Sequence, residues 1–416
     1  METAIKRPRG TSDLLGKDEE VMEGLRSLFF KDAAKYGAYP IEVPMFEESR
    51  LFHRTAGESS DIVAKETFDL EKRGDKNYTL RPEFTASINR AVLENKLYAS
   101  PDLPLKISYF GPVFRYDRPQ AGRYRQFTQF GVEFLDTTVD IATSIDALLL
   151  SVRASQEAIG KEVSVKLNFL GSFASRENYK KALYDFFKPR IENMCDDCKR
   201  RLELNPLRIL DCKVPEDQEI AKSAPKITDY LTADDKKEYE TLIKAIDNLG
   251  LNYQVDDGLV RGLDYYTGLV WELYCPSIEN LGAIGGGGKY AHLMEDIGGP
   301  KFEGVGFSLG VERIALCLSE EQKQRFYKSE TVDVFIVDLK KDALALKLAE
   351  DLRSLGLKVS LPSYSKALGG AFKMADRLKA KFVILVDDEG YQVKDMASRT
   401  QVKMSYEDII NSFKSR

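Results

Sequence analysis

The segment from Phe110 to Phe134 collects side chains that bind anions and flat rings. It is predicted to form a β-hairpin, because Pro119 and Gly122 are typical of a turn between two strand-like runs. Side chains along a strand point alternately to its two faces. One face of the hairpin is therefore expected to be polar, while the other becomes increasingly apolar and suits a core. The polar set comprises Arg115, Asp117, Arg123, Arg125, Phe127, Gln129, Gly131 and Glu133.

This polar face combines guanidinium groups, carboxylates, an amide and an aromatic ring. Arginine presents a fork of N–H donors that matches a phosphate or a carboxylate, and a ring offers a surface for stacking. The face therefore suits a ligand that contains phosphates, a planar base and a charged amino group. The alternative is a solvated sheet face on which the same charges form weak ion pairs.

Two further segments supply candidates for the same pocket. Tyr78 to Glu83 is predicted to be a strand that leads into a helix, so the Glu83 carboxylate lies at a strand end, a common position for ligand contact. Arg261, Tyr265 and Tyr266 are bulky polar residues set beside glycines. This combination favours a pocket lining over a core.

Two glycine-rich segments are predicted to bring the backbone close to a ligand or to another strand. Gly285 to Gly288 is not a Walker loop, because Ala283 occupies the first glycine position and no Ser or Thr follows the Lys. In Gly304 to Gly310, small residues alternate along one strand face and form a shallow trough, with Arg313 near its end. This trough fits a purine with phosphates, although close helix–sheet packing would also explain the small residues.

The order of elements predicts separate domains. Helices and strands alternate before residue 175, charged and mostly helical segments follow over about 175–254, and strands return after residue 260. The middle block therefore looks like a helical insertion. A polar segment near residues 320–330 has the composition of a linker, and the alternation beyond it predicts a small α/β domain with a parallel or mixed sheet. This last domain is mildly basic, which fits a binding role.

Composition limits the class of protein. The chain has 416 residues, 43% of them hydrophobic and 31% charged, as expected for a soluble protein of two or three domains. No apolar run is long enough to span a bilayer and the N-terminus lacks the core of a signal peptide, so a cytoplasmic location without membrane contact is expected. A net charge of −5 argues against bulk capture of nucleic acid but allows a local basic face.

The cysteines leave two interpretations open. Five cysteines without a regular framework fit a reducing compartment. Cys195 and Cys198, with Cys212 beyond them, invite a zinc interpretation, but the helical block contains no fourth cysteine and no histidine. A closed four-ligand site is therefore not expected to be completed locally. Free thiols and no metal site are the default expectation, and structural zinc is the alternative.

Several of these motifs resemble those of class II aminoacyl-tRNA synthetases, and more closely the histidyl-tRNA synthetase family. FRYDRPQAGRYRQFTQFGVE (114–133) looks like motif 2 of the class and GVGFSLGVER (304–313) looks like motif 3. The helix that ends at Tyr36 and Gly37, with a strand to Pro44, resembles motif 1, the dimer-building element. TLRPE (79–83), LVRGLDYYTG (259–268) and GGGGKY (285–290) are similar to signatures of the histidine family.

The resemblance implies an α+β fold, with a class II antiparallel sheet flanked by helices. It implies a catalytic domain over 1–325, which includes the helical insertion at about 175–254, and a C-terminal α/β anticodon-binding domain over 331–416. Such enzymes couple L-histidine to ATP, release pyrophosphate and pass the acyl group to tRNA(His). ATP with its associated Mg²⁺, L-histidine, tRNA(His) and a second copy of the chain are the implied substrates and partners.

The resemblance also implies the roles of individual residues. Arg115, Arg261 and Arg313 would be catalytic, with Arg115 on the α-phosphate and the carboxylate, Arg313 on the outer phosphates, and Arg261 in place of a metal. Arg118 and Gln120 would face the acceptor end of tRNA. The implied ATP contacts are Arg115, Asp117, Arg123, Phe127, Gly306 and Arg313. The implied histidine contacts are Glu83, Thr85, Arg115, Gln129, Glu133, Arg261, Tyr265 and Tyr266.

Within these sets the resemblance separates the functions further. Phe127 would stack on adenine, and Asp117, where motif 2 usually has Glu, would lie near the adenine amino group. The α-ammonium of histidine would be held by Glu83, Thr85 and Gln129. The imidazole of histidine would be recognised by Glu133, Tyr265 and Tyr266.

The main alternative is a non-catalytic paralogue that binds histidine and regulates another enzyme. Such paralogues tend to lose the Arg261 segment and the C-terminal domain, and this chain has both. A structural RNA-binding protein is a third interpretation, but it would not need Glu133 together with the tyrosine pair.

Overall fold

The computed structural model describes residues 4–56, 65–72, 74–260, 265–278, 281–328, 331–340, 343–362 and 368–414. The chain divides into two compact units, Met1–Tyr327 and Lys328–Arg416.

The first unit contains most of the helices and strands, and among the described residues no helix is long and apolar enough to cross a membrane. Its strands are β1 (Tyr39–Pro40), β2 (Phe46–Glu48), β3 (Phe68–Asp69), β4 (Tyr78–Leu80), β5 (Leu105–Phe114), β6 (Gln126–Asp136), β7 (Ser164–Phe169), β8 (Gln254–Val255), β9 (Tyr266–Tyr274), β10 (Gly285–Tyr290) and β11 (Glu303–Gly310). Its α-helices are α1 (Lys17–Lys35), α2 (Ser49–Ala56), α3 (Thr85–Glu94), α4 (Ile141–Ile159), α5 (Phe173–Phe187), α6 (Asp196–Leu204), α7 (Pro215–Ala221), α8 (Ala233–Asn248), α9 (Leu293–Asp296), α10 (Val311–Cys317) and α11 (Glu320–Gln324). Short 3₁₀ helices cover Leu97–Ala99, Lys188–Asn193, Pro206–Asp211 and Ile227–Tyr230.

An eight-stranded sheet, in the order β1-β5-β6-β11-β10-β9-β7-β8, forms the centre of the first unit. Only the outer pairs β1–β5 and β7–β8 are parallel. The predicted hairpin is confirmed, since β5 and β6 pair in antiparallel register from Leu105 opposite Leu135 to Phe114 opposite Gln126. The antiparallel sheet expected from the sequence is therefore present, and a small sheet in the order β2-β4-β3 lies beside it.

The two faces of the large sheet bury different sets of residues. On one face, Phe130, Val132 and Phe134 of β6 pack with apolar residues of α1, α4 and α10, as the alternation along the hairpin predicts. On the other face, residues of α3 and of the helical segments between residues 173 and 230 pack with Tyr265, Tyr266 and Tyr290. The helical block thus shares a core with the polar side of the hairpin.

The prediction that the first strand extends to Pro44 is wrong. The structure limits it to Tyr39–Pro40, and the carbonyl groups of Val43 and Pro44 accept hydrogen bonds from Arg81 Nη1 at 2.7 and 3.2 Å. Arg81 Nε also donates to the carbonyl of Pro112 at 2.8 Å. A buried guanidinium group therefore replaces the sheet as the partner of these carbonyls, which no local pattern indicated.

The second unit is built around a five-stranded mixed sheet. Its strands are β12 (Val334–Asp338), β13 (Val359–Ser360), β14 (Phe382–Asp387), β15 (Gly390–Asp395) and β16 (Gln401–Met404). They follow the order β13-β12-β14-β15-β16, in which β12 is parallel to both β13 and β14 and the other pairs are antiparallel. The sequence pattern predicted the first three strands and the helices but missed β15 and β16, whose residues are partly buried in β15 and mostly exposed in β16 and carry little apolar signal. The helices of this unit are α12 (Ala343–Ser354), α13 (Leu368–Arg377) and α14 (Tyr406–Lys414).

We predict that Arg81→Met lowers the free energy of unfolding of the first unit by about 2–5 kcal/mol, because buried carbonyl groups lose their donors. Urea unfolding followed by the fluorescence of Trp271 measures this, since the single tryptophan is fully buried in that unit. Arg50→Met is the matched control, because Arg50 makes an ion pair with Glu48 at an exposed site and should change stability by less than about 1 kcal/mol. Equal effects of the two substitutions would contradict the prediction.

Candidate active site

Two connected cavities open on the polar side of the hairpin. The smaller one, which we call the chamber, has a volume of about 50 Å³ and the larger one, the cleft, about 820 Å³. Both are lined by Arg115, Gln129, Tyr266 and Ser308, so the chamber opens into the cleft beside Arg115. The chamber is also lined by Glu83, Thr85, Tyr109, Glu133, Tyr265, Tyr290, Gly306 and Phe307. The cleft is also lined by Asp117, Gln120, Arg123, Tyr124, Phe127, Glu272, Glu312 and Arg313, among others.

Glu133 lies at the inner end of the chamber and is 1% exposed. Thr85 Oγ1 donates a hydrogen bond to its Oε1 at 2.9 Å, and Tyr290 OH donates to its Oε2 at 2.8 Å. In the sheet Glu133 pairs with Gly306 on β11, where any larger side chain would overlap the carboxylate. The acid is thus fixed by a helix, a strand and a glycine that are far apart in the sequence.

Burial sets the charge of these groups. Removal from water raises the pKa of Glu133 to about 8, although the hydrogen bonds from Tyr290 and Thr85 act in the opposite direction. Burial likewise raises the pKa of Glu83. Burial, together with nearby carboxylates, keeps the pKa of Tyr265 and Tyr290 well above its usual value. The phenols therefore stay neutral donors, while Glu133 can take up or release a proton near neutral pH.

The first turn of α3 forms the part of the chamber wall next to Glu133. Glu83 Oε2 accepts a hydrogen bond from the backbone N–H of Thr85 at 2.6 Å, and Oε1 accepts from that of Ala86 at 2.9 Å. A carboxylate in this position satisfies the free N–H groups of a helix N-terminus. Gln129 is 7% exposed, and its Oε1 atom has no hydrogen-bond partner among the described residues. The chamber therefore presents an acid at one end and an acceptor oxygen near its mouth.

Arginines concentrate in the cleft. Arg115 Nε donates to the carbonyl of Pro82 at 2.9 Å, and its guanidinium group lies 5.4 Å from the centre of the Phe127 ring. Arg313 Nε donates to the carbonyl of Gly122 at 2.7 Å, and its Nη1 donates to that of Ala283. Burial lowers the pKa of Arg313, and Arg123 and Arg115 lower it further. Like charges this close favour the binding of a polyanion.

The hairpin tip forms the outer rim of this arrangement. Arg123 forms an ion pair with Asp117 at 3.3 Å, and an isolated bridge joins Gln120 to Arg123. Arg118 and Gln120 are exposed, and only Gln120 lines the cleft. The rim is thus accessible to a large molecule.

Two expectations about this face are corrected by the structure. Arg125 does not line the cleft: its guanidinium group stacks 3.9 Å from the centre of the Tyr116 ring, because β6 begins at Gln126 and strict alternation does not extend before it. The trough on β11 is filled only in its first half, where the Tyr290 ring packs against Gly304 and the Glu133 carboxylate against Gly306, while Ser308 and Gly310 line the cleft. The predicted site residue Arg261 lies outside the described residues.

Sequence reasoning missed three residues of the site. Tyr290 stood within a quoted motif, and its position in a strand that alternates with Lys289 could have indicated an inward side chain. Tyr109 pairs with Gly131, and a glycine opposite a large residue was the available signal. Glu312 accepts two hydrogen bonds from the backbone N–H of Thr128, at 2.8 and 2.9 Å.

The cysteines of the helical block converge, contrary to the expectation that a four-ligand site could not be completed locally. Cys195, Cys198 and Cys212 lie with Asp217 in one group whose ligand atoms are all within 4.8 Å of one another. The sequence analysis considered only cysteine and histidine as the fourth ligand and overlooked the carboxylate. Cys275 and Cys317 are buried elsewhere.

Comparisons with known proteins agree with this geometry. The family model for histidyl-tRNA synthetase matches residues 10–314, and that for an anticodon-binding domain matches residues 332–416. The chain is 40% identical over 418 residues to the histidine–tRNA ligase of Bacillus subtilis, covering 98% of each chain. It is 39% identical over 424 residues to that of Staphylococcus haemolyticus, covering 99% of each chain.

Solved structures give the same result. Apo histidyl-tRNA synthetase of S. aureus is similar with a TM-score of 0.78 at 33% identity, over 99% of this chain and 100% of that chain. An ATP phosphoribosyltransferase regulatory subunit/histidyl-tRNA synthetase from Bacillus halodurans shares the fold at 20% identity, with a TM-score of 0.65 over 92% of this chain and 99% of that chain.

The antiparallel sheet, whose glycine-rich strands bring a buried acid beside an arginine-lined cleft, has the architecture of the class II aminoacyl-tRNA synthetases. The match to the S. aureus structure extends that likeness over nearly the whole chain. The chain belongs to the histidyl-tRNA synthetase family and ends in an anticodon-binding domain.

We predict that Glu133→Gln removes a pH-dependent part of the stability. Because the folded pKa of about 8 lies above the ordinary value of 4.5, the folded state holds the proton more tightly and stability falls as pH rises between these values. The wild-type protein should lose up to about 1.4 kcal/mol per pH unit from this group within that window. Urea unfolding monitored by Trp271 from pH 5 to pH 8 measures the difference.

The matched control is Glu94→Gln, since the side chain of Glu94 is 69% exposed. Its stability should follow the wild-type pH dependence. Parallel curves for wild type and Glu133→Gln would mean that Glu133 does not retain its proton in the folded state.

Proposed function

We propose that this protein is a histidine–tRNA ligase, which activates L-histidine with ATP to form histidyl-adenylate and pyrophosphate and then transfers histidine to tRNA(His). The observation that carries the proposal is the enclosed acid–tyrosine chamber that opens at Arg115 into an arginine-lined cleft. The side chain of a small polar amino acid would enter the chamber, and its carboxylate would then lie beside Arg115 at the boundary with the cleft.

In this proposal the imidazole of histidine is recognised by Glu133, Tyr265 and Tyr266. A carboxylate that ionises near neutral pH accepts a hydrogen bond from an imidazole N–H, and buried polar groups left unpaired would reject an amino acid that lacks this donor. The α-ammonium group is assigned to Glu83, Thr85 and Gln129. The unpartnered Gln129 Oε1 supports this assignment, because an ammonium group would supply its missing donor.

ATP is assigned to the cleft. Phe127 would stack on adenine with Asp117 near the amino group. Gly306, the other predicted ATP contact, lines the chamber beside Glu133 and not the cleft, so we do not assign it to ATP. Arg115, Arg123 and Arg313 would bind the phosphates, with Arg261 as a further cation. A carboxylate oxygen of histidine attacks the α-phosphorus, and the bond from that phosphorus to the departing pyrophosphate breaks. Fixed guanidinium groups stabilise the charge that develops in this step.

Mg²⁺ would arrive with ATP. Glu272 and Glu312 line the cleft, and carboxylate oxygens are the ligands that Mg²⁺ prefers. These residues would hold the ion, which supplies neutralisation of phosphate charge when bound.

The transfer step needs tRNA(His) at the same cleft. Arg118 and Gln120 on the exposed hairpin tip are assigned to the acceptor end, and the anticodon-binding domain to the distal end of the tRNA. We further propose that the protein is a cytoplasmic homodimer built through the α1–β1 segment, with domains over 1–325 and 331–416 as the resemblance implies. The C-terminal anticodon-binding domain favours an enzyme over a histidine-binding regulatory paralogue.

We predict ATP–pyrophosphate exchange with histidine and with none of the other nineteen amino acids, in the absence of tRNA. Arg115→Ala should lower exchange about 10²–10³-fold, because the charge at the reacting phosphate loses a fixed donor. Arg54→Ala, which changes an exposed arginine outside the two cavities, is the control. Histidine binding by calorimetry without exchange would favour the regulatory paralogue instead.

We predict that Arg118→Ala separates the two steps. Exchange should stay within about twofold of wild type, while transfer of histidine from preformed adenylate to tRNA slows about tenfold, the effect of losing a contact worth about 1.4 kcal/mol. Single-turnover acylation measures the transfer rate, with Arg54→Ala again as the control. A parallel loss of exchange and transfer would show that Arg118 serves the adenylation site.

A further inference from the structure

The cysteine group of the helical block has the geometry of a zinc site. Cys195 Sγ and Cys212 Sγ are 3.8 Å apart, and Cys212 Sγ is 3.2 Å from Asp217 Oδ2. Tetrahedral zinc with Zn–S bonds of about 2.3 Å separates two sulfur ligands by about 3.8 Å. A disulfide would instead require about 2.05 Å between the sulfur atoms. The spacing of the thiols therefore fits a shared metal ion.

The local backbone suits negatively charged ligands. Cys195 is the N-cap of α6 and Cys198 lies in its first turn, where the N–H groups and the helix dipole favour thiolates. The backbone N–H of Val214 donates to Cys212 Sγ at 3.5 Å, and that of Cys195 donates to Asp217 Oδ2 at 3.2 Å. Such outer contacts orient metal ligands.

The burial of the Asp217 carboxylate indicates that a cation accompanies it. Asp217 is 1% exposed, and Cys198 and Cys212 are 0% and 3% exposed. A carboxylate removed from water beside three sulfur atoms is unfavourable unless a cation or strong donors accompany it. Zinc satisfies this requirement, and a site of three thiolates and one carboxylate, with soft sulfur donors in the majority, selects it over Mg²⁺ or Ca²⁺.

We propose that Cys195, Cys198, Cys212 and Asp217 bind one structural zinc ion. The ion links the start of α6, the end of the 3₁₀ helix Pro206–Asp211 and the first turn of α7. Arg201 and Arg208, which belong to the linked segments, line the cleft. The metal thus fixes the wall that the helical block contributes to the cleft.

The first test measures the metal content of the full-length protein, expressed with zinc present and purified without chelators. Plasma mass spectrometry should find about one zinc per chain in wild type and in Cys275→Ser, the matched control with a buried thiol outside the group. Cys198→Ser and Asp217→Asn should lose most of this zinc. A metal-free wild type, or iron in place of zinc, would overturn the proposal.

The second test does not depend on the variants folding. Wild-type protein stripped of metal and titrated with CoCl₂ should develop the visible bands of tetrahedral cobalt and thiolate-to-cobalt charge transfer, and ZnCl₂ should abolish them. Stripping should also lower the melting temperature, and ZnCl₂ should restore it. A titration without charge-transfer bands, or thiols found oxidised to a disulfide in the freshly isolated protein, would refute a zinc site.

Discussion

The hydrogen-bonded, buried carboxylate of Glu133 is the interaction on which the rest of the site depends. An acid at 1% exposure is tolerated only where donors surround it, and here they come from α3 and β10, with Gly306 of β11 leaving the space. The eight-stranded sheet aligns these strands, and the first turn of α3 is fixed in turn by Glu83. A shift of one residue in the β6–β11 register would turn the acid to the opposite face.

In the cleft, the positions of the arginines are set by hydrogen bonds to the backbone. Arg115 and Arg313 are held by backbone carbonyl groups, and the like charges around Arg313 lower its pKa further after burial has done so. These hydrogen bonds to backbone carbonyls fix the position of each guanidinium group. Glu272 and Asp117 offset part of this repulsion, and a bound anion would offset more of it, so the cleft favours phosphate.

Much of this was predictable from the sequence, for identifiable reasons. The hairpin and its core face follow from alternation and from a turn that Pro119 and Gly122 specify, since both signals are local. The alternation gave a wrong prediction for Arg125, because this residue precedes β6, which begins at Gln126. The end of β1 and the position of Asp217 beside the cysteines depend on contacts between separate segments, and no local period encodes such contacts. The individual roles assigned to the site residues remain predictions.

The helical block contributes one wall of the cleft, although its helices are short. The helices between Lys188 and Tyr230 have few turns each, and helices this short are not stable in isolation. Their apolar residues pack under the sheet, while Arg201 and Arg208 lie on the cleft side. Short segments of this kind gain stability when an internal link joins them. A zinc ion bound by the cysteines would supply that link whether or not substrate occupies the cleft.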